Sequence, residues 1–473
     1  MAGLFAVTVW FQLLALIAAS TKILTWEDQK LLQAGDAGHA KSNCPKNRVI
    51  RQNNTFCDAG STLWTGTIEI GTEDRNMFFM YFESLNESET DPLIIWLNGG
   101  PGASSMAGAF YEIGPCLVNS EINTTSRNLL SWTAVANMIF VDQPIGVGFS
   151  RSDDPALWAN NLAEAAIDFE RFLSGLFDLF PHLDDGKREF HLAGESFAGH
   201  YIPHFISAMR WNLSSVILVD PYIDSAESAL GMYKHCCVGK SPHPGLNETA
   251  CHAISKELHA CKMEGQKCRS TYDIGACEKA AETCFLTIMT WFDNGPEGHP
   301  THNPFDDRLD CNNPAKLGLD EVTTFLNSTE VKCALGQPDI NYSAINYEFN
   351  ARWTRQPEIN LPSTRELSHL LADKGIPILV INGNNDIIGN TEGMIKILDD
   401  LQWDGRNRYR EQKLVPWWFE HVQGTRTRGG DFKQFDKLAL VTVNEAGHMA
   451  VADQRKGTLE ILKRWTSKSS LES

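Results

Sequence analysis

The chain has 473 residues, 42% of them hydrophobic and 21% charged, which is the composition of a soluble globular protein with a sizeable core. Its formal net charge of −18 and pI near 5.2 argue against nucleic acid and anionic membrane surfaces as partners, because both would be repelled. Residues 1–20, MAGLFAVTVWFQLLALIAAS, are an uncharged apolar run ending in small residues and predict a secretory signal peptide. The lack of a basic flank beyond the α-amine leaves an uncleaved anchor as the alternative. No later segment is apolar over the roughly 18 residues of a membrane span, and no apolar tail ends the chain. No stable membrane association is therefore expected.

Residues 21–58 follow as an N-terminal segment that a propeptide would occupy in part. Residues 59–220 read as the first part of an α/β core. Short β-rich runs, TGTIEIG, NMFFMYFES, PLIIWLN and ANMIFVDQP, alternate there with Gly/Pro turns. The stretch PALWANNLAEAAIDFERFLSGLFDLF then places apolar residues at helical spacing, and REFHLAGES and SSVILVD read as further strands. Residues 221–335 change character: they are Cys-rich, poor in strand signal and predicted to be a helical insertion stapled by disulfides, with HAISKELHAC and EKAAETCFLTIMT as helical patches. Residues 336–473 resume the core with IPILVINGNND, LALVTVNEAGH and a final helix, KGTLEILKRWT. Strands alternating with helices around an insertion predict an α/β fold: a central mixed, mostly parallel sheet with helices on both faces.

Two features support export. Seven Asn-x-Ser/Thr sequons occur, at Asn53, Asn86, Asn123, Asn212, Asn247, Asn327 and Asn341. The twelve cysteines lack the CxxC and Cys/His spacings of a zinc site, so disulfides in an oxidising lumen are the better reading. Three lie early, at Cys44, Cys57 and Cys116. Nine lie later, at Cys236, Cys237, Cys251, Cys261, Cys268, Cys277, Cys284, Cys311 and Cys333. Both groups are odd, so if all pair, at least one bridge joins the early part to the late one. Adjacent Cys236 and Cys237 should take different partners, because a bridge between neighbours is strained.

The chemistry is carried by FHLAGESFAGHY, residues 190–201. A strand running into a sharp turn and then a helix would lift Ser196 above a sheet edge and aim a helix N-terminus at a developing oxyanion. A serine hydroxyl is a poor nucleophile until a base takes its proton. NGNNDIIGN sets Asp386 just after one apolar strand, and NEAGH sets His448 just after another. Serine, acid and histidine thus stand in chain order at three strand ends. One departure stands out: the usual elbow has glycine two residues after the serine, where this chain has Ala198, with Gly199 one place later.

The blocks IIWLNGGPGASSMAG, FYEIGPC, ANMIFVDQPIGVGFS, LAGESFAGHYIP, NGNNDIIGNTEG and NEAGHMA together resemble the serine carboxypeptidase family, from about Trp64 to Asp453. The resemblance implies an α/β-hydrolase fold and a serine exopeptidase acting through an acyl-enzyme, with no metal or cofactor. Ser196 would be the nucleophile, His448 the general base and then acid, and Asp386 the group that orients the imidazole. The amides of Gly100 and Phe197 would form the oxyanion hole. Asn98, Gly99, Glu112 and Glu195 would hold the substrate's terminal carboxylate. A pair of close carboxyl groups cannot both ionise freely, so one keeps a proton and donates it, which implies the strongest peptide binding at acidic pH.

The family's cysteine after GGPG is replaced by Ala103, so Cys116 is a candidate for a substitute bridge. Asn384 stands where an acid is usual before Asp386, MAVADQR lacks the family's proline after Gly-His-Met, and ILVDPYID replaces a Gly-Asn strand end near the cleft. The implied partners are peptide or protein C-termini, met as a monomer or homodimer outside the cell or in a vacuolar or lysosomal lumen. Acyltransferases of the same family, and an inactive peptide-binding glycoprotein, remain the rival readings.

Overall fold

The computed structural model describes residues 44, 48–71, 74–119, 123–239, 246–286, 303–309, 318–422 and 424–472. The predicted signal peptide, most of the N-terminal segment and Cys311 lie outside the described residues. In chain order the strands are β1 (Val49–Arg51), β2 (Leu63–Glu69), β3 (Asn76–Phe82), β4 (Leu93–Leu97), β5 (Cys116–Asn119), β6 (Thr124–Arg127) and β7 (Asn137–Val141). They continue as β8 (Phe190–Glu195), β9 (Ser215–Val219), β10 (Ile378–Gly383), β11 (Val415–Val422), β12 (Thr425–Phe435) and β13 (Leu438–Val443).

Eleven of them form one sheet in the order β1-β2-β3-β7-β4-β8-β9-β10-β13-β12-β11, while β5 and β6 pair apart. From β7 to β13 every neighbour is parallel; antiparallel strands extend both edges. Strand β4 is wholly buried, as a parallel strand covered on both faces should be. Its residues split by the period-two rule: Leu93, Ile95 and Leu97 enter one apolar core, Ile94 and Trp96 the other. The first core is closed by helices Leu162–Leu179, Ala198–Ala208, Thr364–Ala372 and Thr391–Asp400, the second by Leu319–Leu326 and Arg455–Thr466.

The apolar pattern predicted from Pro155 becomes α-helix only at Leu162. Asn161 caps that turn, its side-chain oxygen accepting from the Glu164 N–H, and Pro155–Leu157 makes a separate 3-10 turn. The β11–β12 hairpin, for which no strand was expected, alternates buried Trp417 and Phe419 with exposed Trp418 and Glu420. Between β9 and β10 the described chain is helical, chiefly Ser225–Tyr233, Glu248–Thr271 and Ile274–Ala281.

Five disulfides are formed among the described residues. Cys44–Cys333 joins the early group to the late one. Cys116 pairs with Cys57 rather than with the region after the insertion. Cys237–Cys251, Cys261–Cys284 and Cys268–Cys277 staple the helical segment. Among the described cysteines Cys236 alone is a free thiol, and it is buried; Cys311 lies outside the described residues. Burial pushes that thiol up to about 12. Among the sequons, Asn53, Asn86, Asn123, Asn212, Asn247 and Asn341 are exposed. Asn327 is half-buried, and its amide nitrogen donates to Thr323 O at 3.0 Å and Tyr342 O at 2.8 Å.

Candidate active site

Register brings the candidate residues together. Leu97 of β4 lies opposite Gly194 of β8, Glu195 opposite Val219 of β9, Val219 opposite Ile381 of β10, and Ile381 opposite Val441 of β13. The parallel strands therefore end level. The loops holding Asn98–Gly100, Ser196, Asp386 and His448 leave the same edge of the sheet, where α/β sheets carry their ligands.

Ser196 sits between β8 and the helix Ala198–Ala208 with φ of 60°, a left-handed conformation that non-glycine residues avoid unless held. The hold is visible. Its N–H donates to Val219 O at 3.0 Å, and its carbonyl accepts from Gly199 N at 3.0 Å and Tyr222 N at 2.9 Å. The same geometry explains the irregular elbow. A Cβ on Gly194 would fall 2.6 Å from the Ala198 methyl, and a Cβ on Gly199 would fall 2.5 Å from Tyr222 O. The turn thus has room for alanine at 198 and none for any side chain at 194 or 199.

Asp386 is wholly buried and Oδ2 meets Nδ1 of His448 at 2.7 Å, while Oδ1 accepts from the Ile388 N–H at 2.8 Å. Asn384 does not leave its loop short of hydrogen bonds. Its Nδ2 donates to Asn444 Oδ1 at 2.8 Å, its N–H donates to Val443 O, and its Oδ1 accepts from Thr391. In the segment that lacks the family's proline, the turn Ala450–Asp453 carries Asp453, which accepts from the Gly447 N–H at 2.8 Å.

Asn98, Glu112 and Glu195 form a buried cluster beside the serine. Asn98 Oδ1 accepts from Trp96 Nε1 at 2.8 Å and from the Gly108 N–H at 3.1 Å, which fixes the amide's orientation. Its Nδ2 is then aimed at both glutamates, donating to Glu112 Oε1 at 2.9 Å and Glu195 Oε1 at 3.3 Å. The second oxygen of each carboxyl is buried with no hydrogen-bond partner. Burial pushes Glu112 above the usual carboxylate range. Burial, reinforced by the charge of Glu112, pushes Glu195 well above it. Gly99 packs its Cα against the Phe197 amide so closely that a Cβ would overlap it, and Gly100 adopts φ of 100°. The two loops holding Gly100 and Phe197 are therefore in contact.

Two contributors to this edge were not read from the sequence. Residues 303–309, NPFDDRL, thread between the Asp386 and His448 loops. Pro304 O accepts from Ile387 and Ile388 N–H, Phe305 O accepts from His448 N–H at 2.8 Å, and Asp307 N–H donates to Asn385 O. Arg308 pairs with Asp306 and Asp453. The other is Asp220, fully buried at the end of β9; only its departure from the family pattern signalled it.

A family model described as serine carboxypeptidase matches residues 55–468. Carboxypeptidase Y homolog A of Aspergillus fumigatus is 31% identical over 418 residues, 86% of this chain and 74% of that protein. The protein of the same name from Phaeosphaeria nodorum is 30% identical over 413 residues, 85% of this chain and 73% of the relative. Among solved structures, Kex1(Δ)p, a prohormone-processing carboxypeptidase from Saccharomyces cerevisiae, aligns with a TM-score of 0.72 at 23% identity. That alignment covers 90% of this chain and 95% of Kex1(Δ)p, and the two share their fold.

Proposed function

This chain belongs to the serine carboxypeptidase family, and from that premise we propose that it releases single C-terminal residues from peptides through an acyl-enzyme on Ser196. His448 takes the serine proton and later returns it to the leaving amine; the bonded Asp386 holds the imidazole in the required tautomer. The Gly100 and Phe197 amides receive the oxyanion. In support, neither is used in a hydrogen bond of the described loops and turns.

The observation that carries the exopeptidase reading is Asn98 donating to both Glu112 and Glu195, one residue from the serine. Two buried carboxyl groups so close favour keeping a proton, and that proton is the donor a terminal carboxylate needs. The sign follows. The raised values keep the pair protonated at acidic pH, and the donor is lost as pH rises through them, so affinity for peptide acids falls toward neutral pH. The disulfides and exposed sequons support a glycoprotein of the secretory pathway, delivered outside the cell or to a vacuolar or lysosomal lumen.

The test is a blocked dipeptide and its C-terminal amide, each incubated with the purified protein at about pH 5. We expect cleavage of the free acid only, and its loss by a factor of about 10⁶ in kcat in Ser196→Ala. Ester transfer without peptide cleavage would instead establish an acyltransferase.

A further inference from the structure

Asp220 has no role in the chemistry above, yet it is a wholly buried carboxyl group, an arrangement stable only with hydrogen bonds to offset the lost hydration. It follows β9 with φ of 43°, in the left-handed region that Asp and Asn enter more readily than other side chains do. That conformation turns the carboxyl inward beneath the sheet edge. Oδ1 accepts from the Gly383 N–H at 2.6 Å, at the end of the strand that leads to Asp386. Oδ2 accepts from the Ala450 N–H at 3.2 Å, two residues past His448.

The residues flanking Asp220 grip the serine. Val219 O accepts from the Ser196 N–H, and Tyr222 N–H donates to the Ser196 carbonyl. A Cβ on Gly389 would lie 3.2 Å from the Asp220 carbonyl, so the Asp386 loop also closes over it. One four-residue turn thus touches the backbone of all three triad loops.

We propose that Asp220 is a positioning residue that sets the Asp386 and His448 loops against the Ser196 turn. The inference rests on the triad reading above and adds a residue to it. Burial, with the charge of Asp386 behind it, pushes the Asp220 carboxyl well above the usual carboxylate range. Its two acceptor bonds make the carboxyl a hydrogen-bond clamp between the two loops. A displacement of the loops by about 1 Å is enough to cost about 10²-fold in rate.

Asp220→Ala removes both acceptors and the side chain that favours the left-handed turn. Asp220→Asn keeps the turn and the acceptor facing Gly383 and loses the one facing Ala450. With the full-length protein and the blocked dipeptide, kcat should fall about 100-fold in the alanine variant and about tenfold in the asparagine variant. KM should change less than kcat in both, since Asn98, Glu112 and Glu195 make no hydrogen bond to Asp220 and its charge acts on Glu195 only behind burial and Glu112. A purely structural role would lower the melting temperature while the folded protein kept its kcat. The proposal is overturned if kcat of the folded variants stays within about threefold of wild type, or if the loss is in KM. Should the alanine variant not fold, the asparagine variant decides on the same threshold. An inactive wild-type protein would sink the triad reading as well; an active one with indifferent Asp220 variants sinks this inference alone.

Discussion

The sheet and the helical segment between β9 and β10 are stabilised in different ways. The sheet separates two large apolar cores, filled from both faces by strands of alternating register and closed by amphipathic helices. The helical segment has smaller clusters around Ala229, Met232, Ile254 and Phe285, and around Cys268, Cys277 and Ala280. Three disulfides close it within short sequence separations. Burial thus dominates in one region and chain cross-linking in the other. The division is incomplete, because residues 303–309 bond the backbone of both the Asp386 and His448 loops. Part of the disulfide-rich region is therefore built into the chemistry of the sheet.

The largest stability effect should come from the sheet's own core. Phe172 is wholly buried and meets Phe169 and Phe79 ring to ring, at centroid distances of 6.0 and 6.1 Å. Phe172→Ala should destabilise by about 3–5 kcal/mol in denaturant unfolding, while the folded fraction keeps its kcat. A loss below about 1 kcal/mol would break the comparison, since the core would then not be what holds the sheet.

Replacing Cys268 and Cys277 together by alanine opens a bridge of sequence separation 9 and should remove about 2–3 kcal/mol. Hydrogen exchange should show that loss within residues 248–281, with the amides of β4, β8 and β10 unchanged. Faster exchange in those strands would merge the two regions into one cooperative unit.

The smallest change concerns pH. Glu195→Gln supplies a permanent donor in place of a proton that titrates, so hydrolysis of peptide acids should persist about one pH unit higher, through KM rather than kcat. The raised values of Glu112 and Glu195 fix that direction. An unchanged KM–pH curve would move the pH response away from the sheet edge.

How much of this was legible in the sequence follows from the range of the forces involved. The parallel strands, the Ser196 elbow and the Asp386 and His448 loops announce themselves within ten or so residues, as apolar runs bounded by turns, whereas the β11–β12 hairpin does not. The Asn98 cluster was legible only through resemblance, because its members come from three separate segments. Neither the Cys44–Cys333 bridge nor the partner of Cys116 was legible, since the cysteine spacing says nothing of which thiols meet in space. Residues 303–309 carry no periodicity, and their contribution is made by backbone groups. Asp220 could be seen as unusual but not as central, for its two acceptor contacts are 163 and 230 residues away.

The bridge between Cys44 and Cys333 has one further result. Any single cut of the backbone between those positions leaves the fragment bearing Cys44 covalently tied to the fragment bearing Cys333. Limited proteolysis there would raise the number of polypeptide chains from one to two without changing the mass that travels together, until a reductant is added.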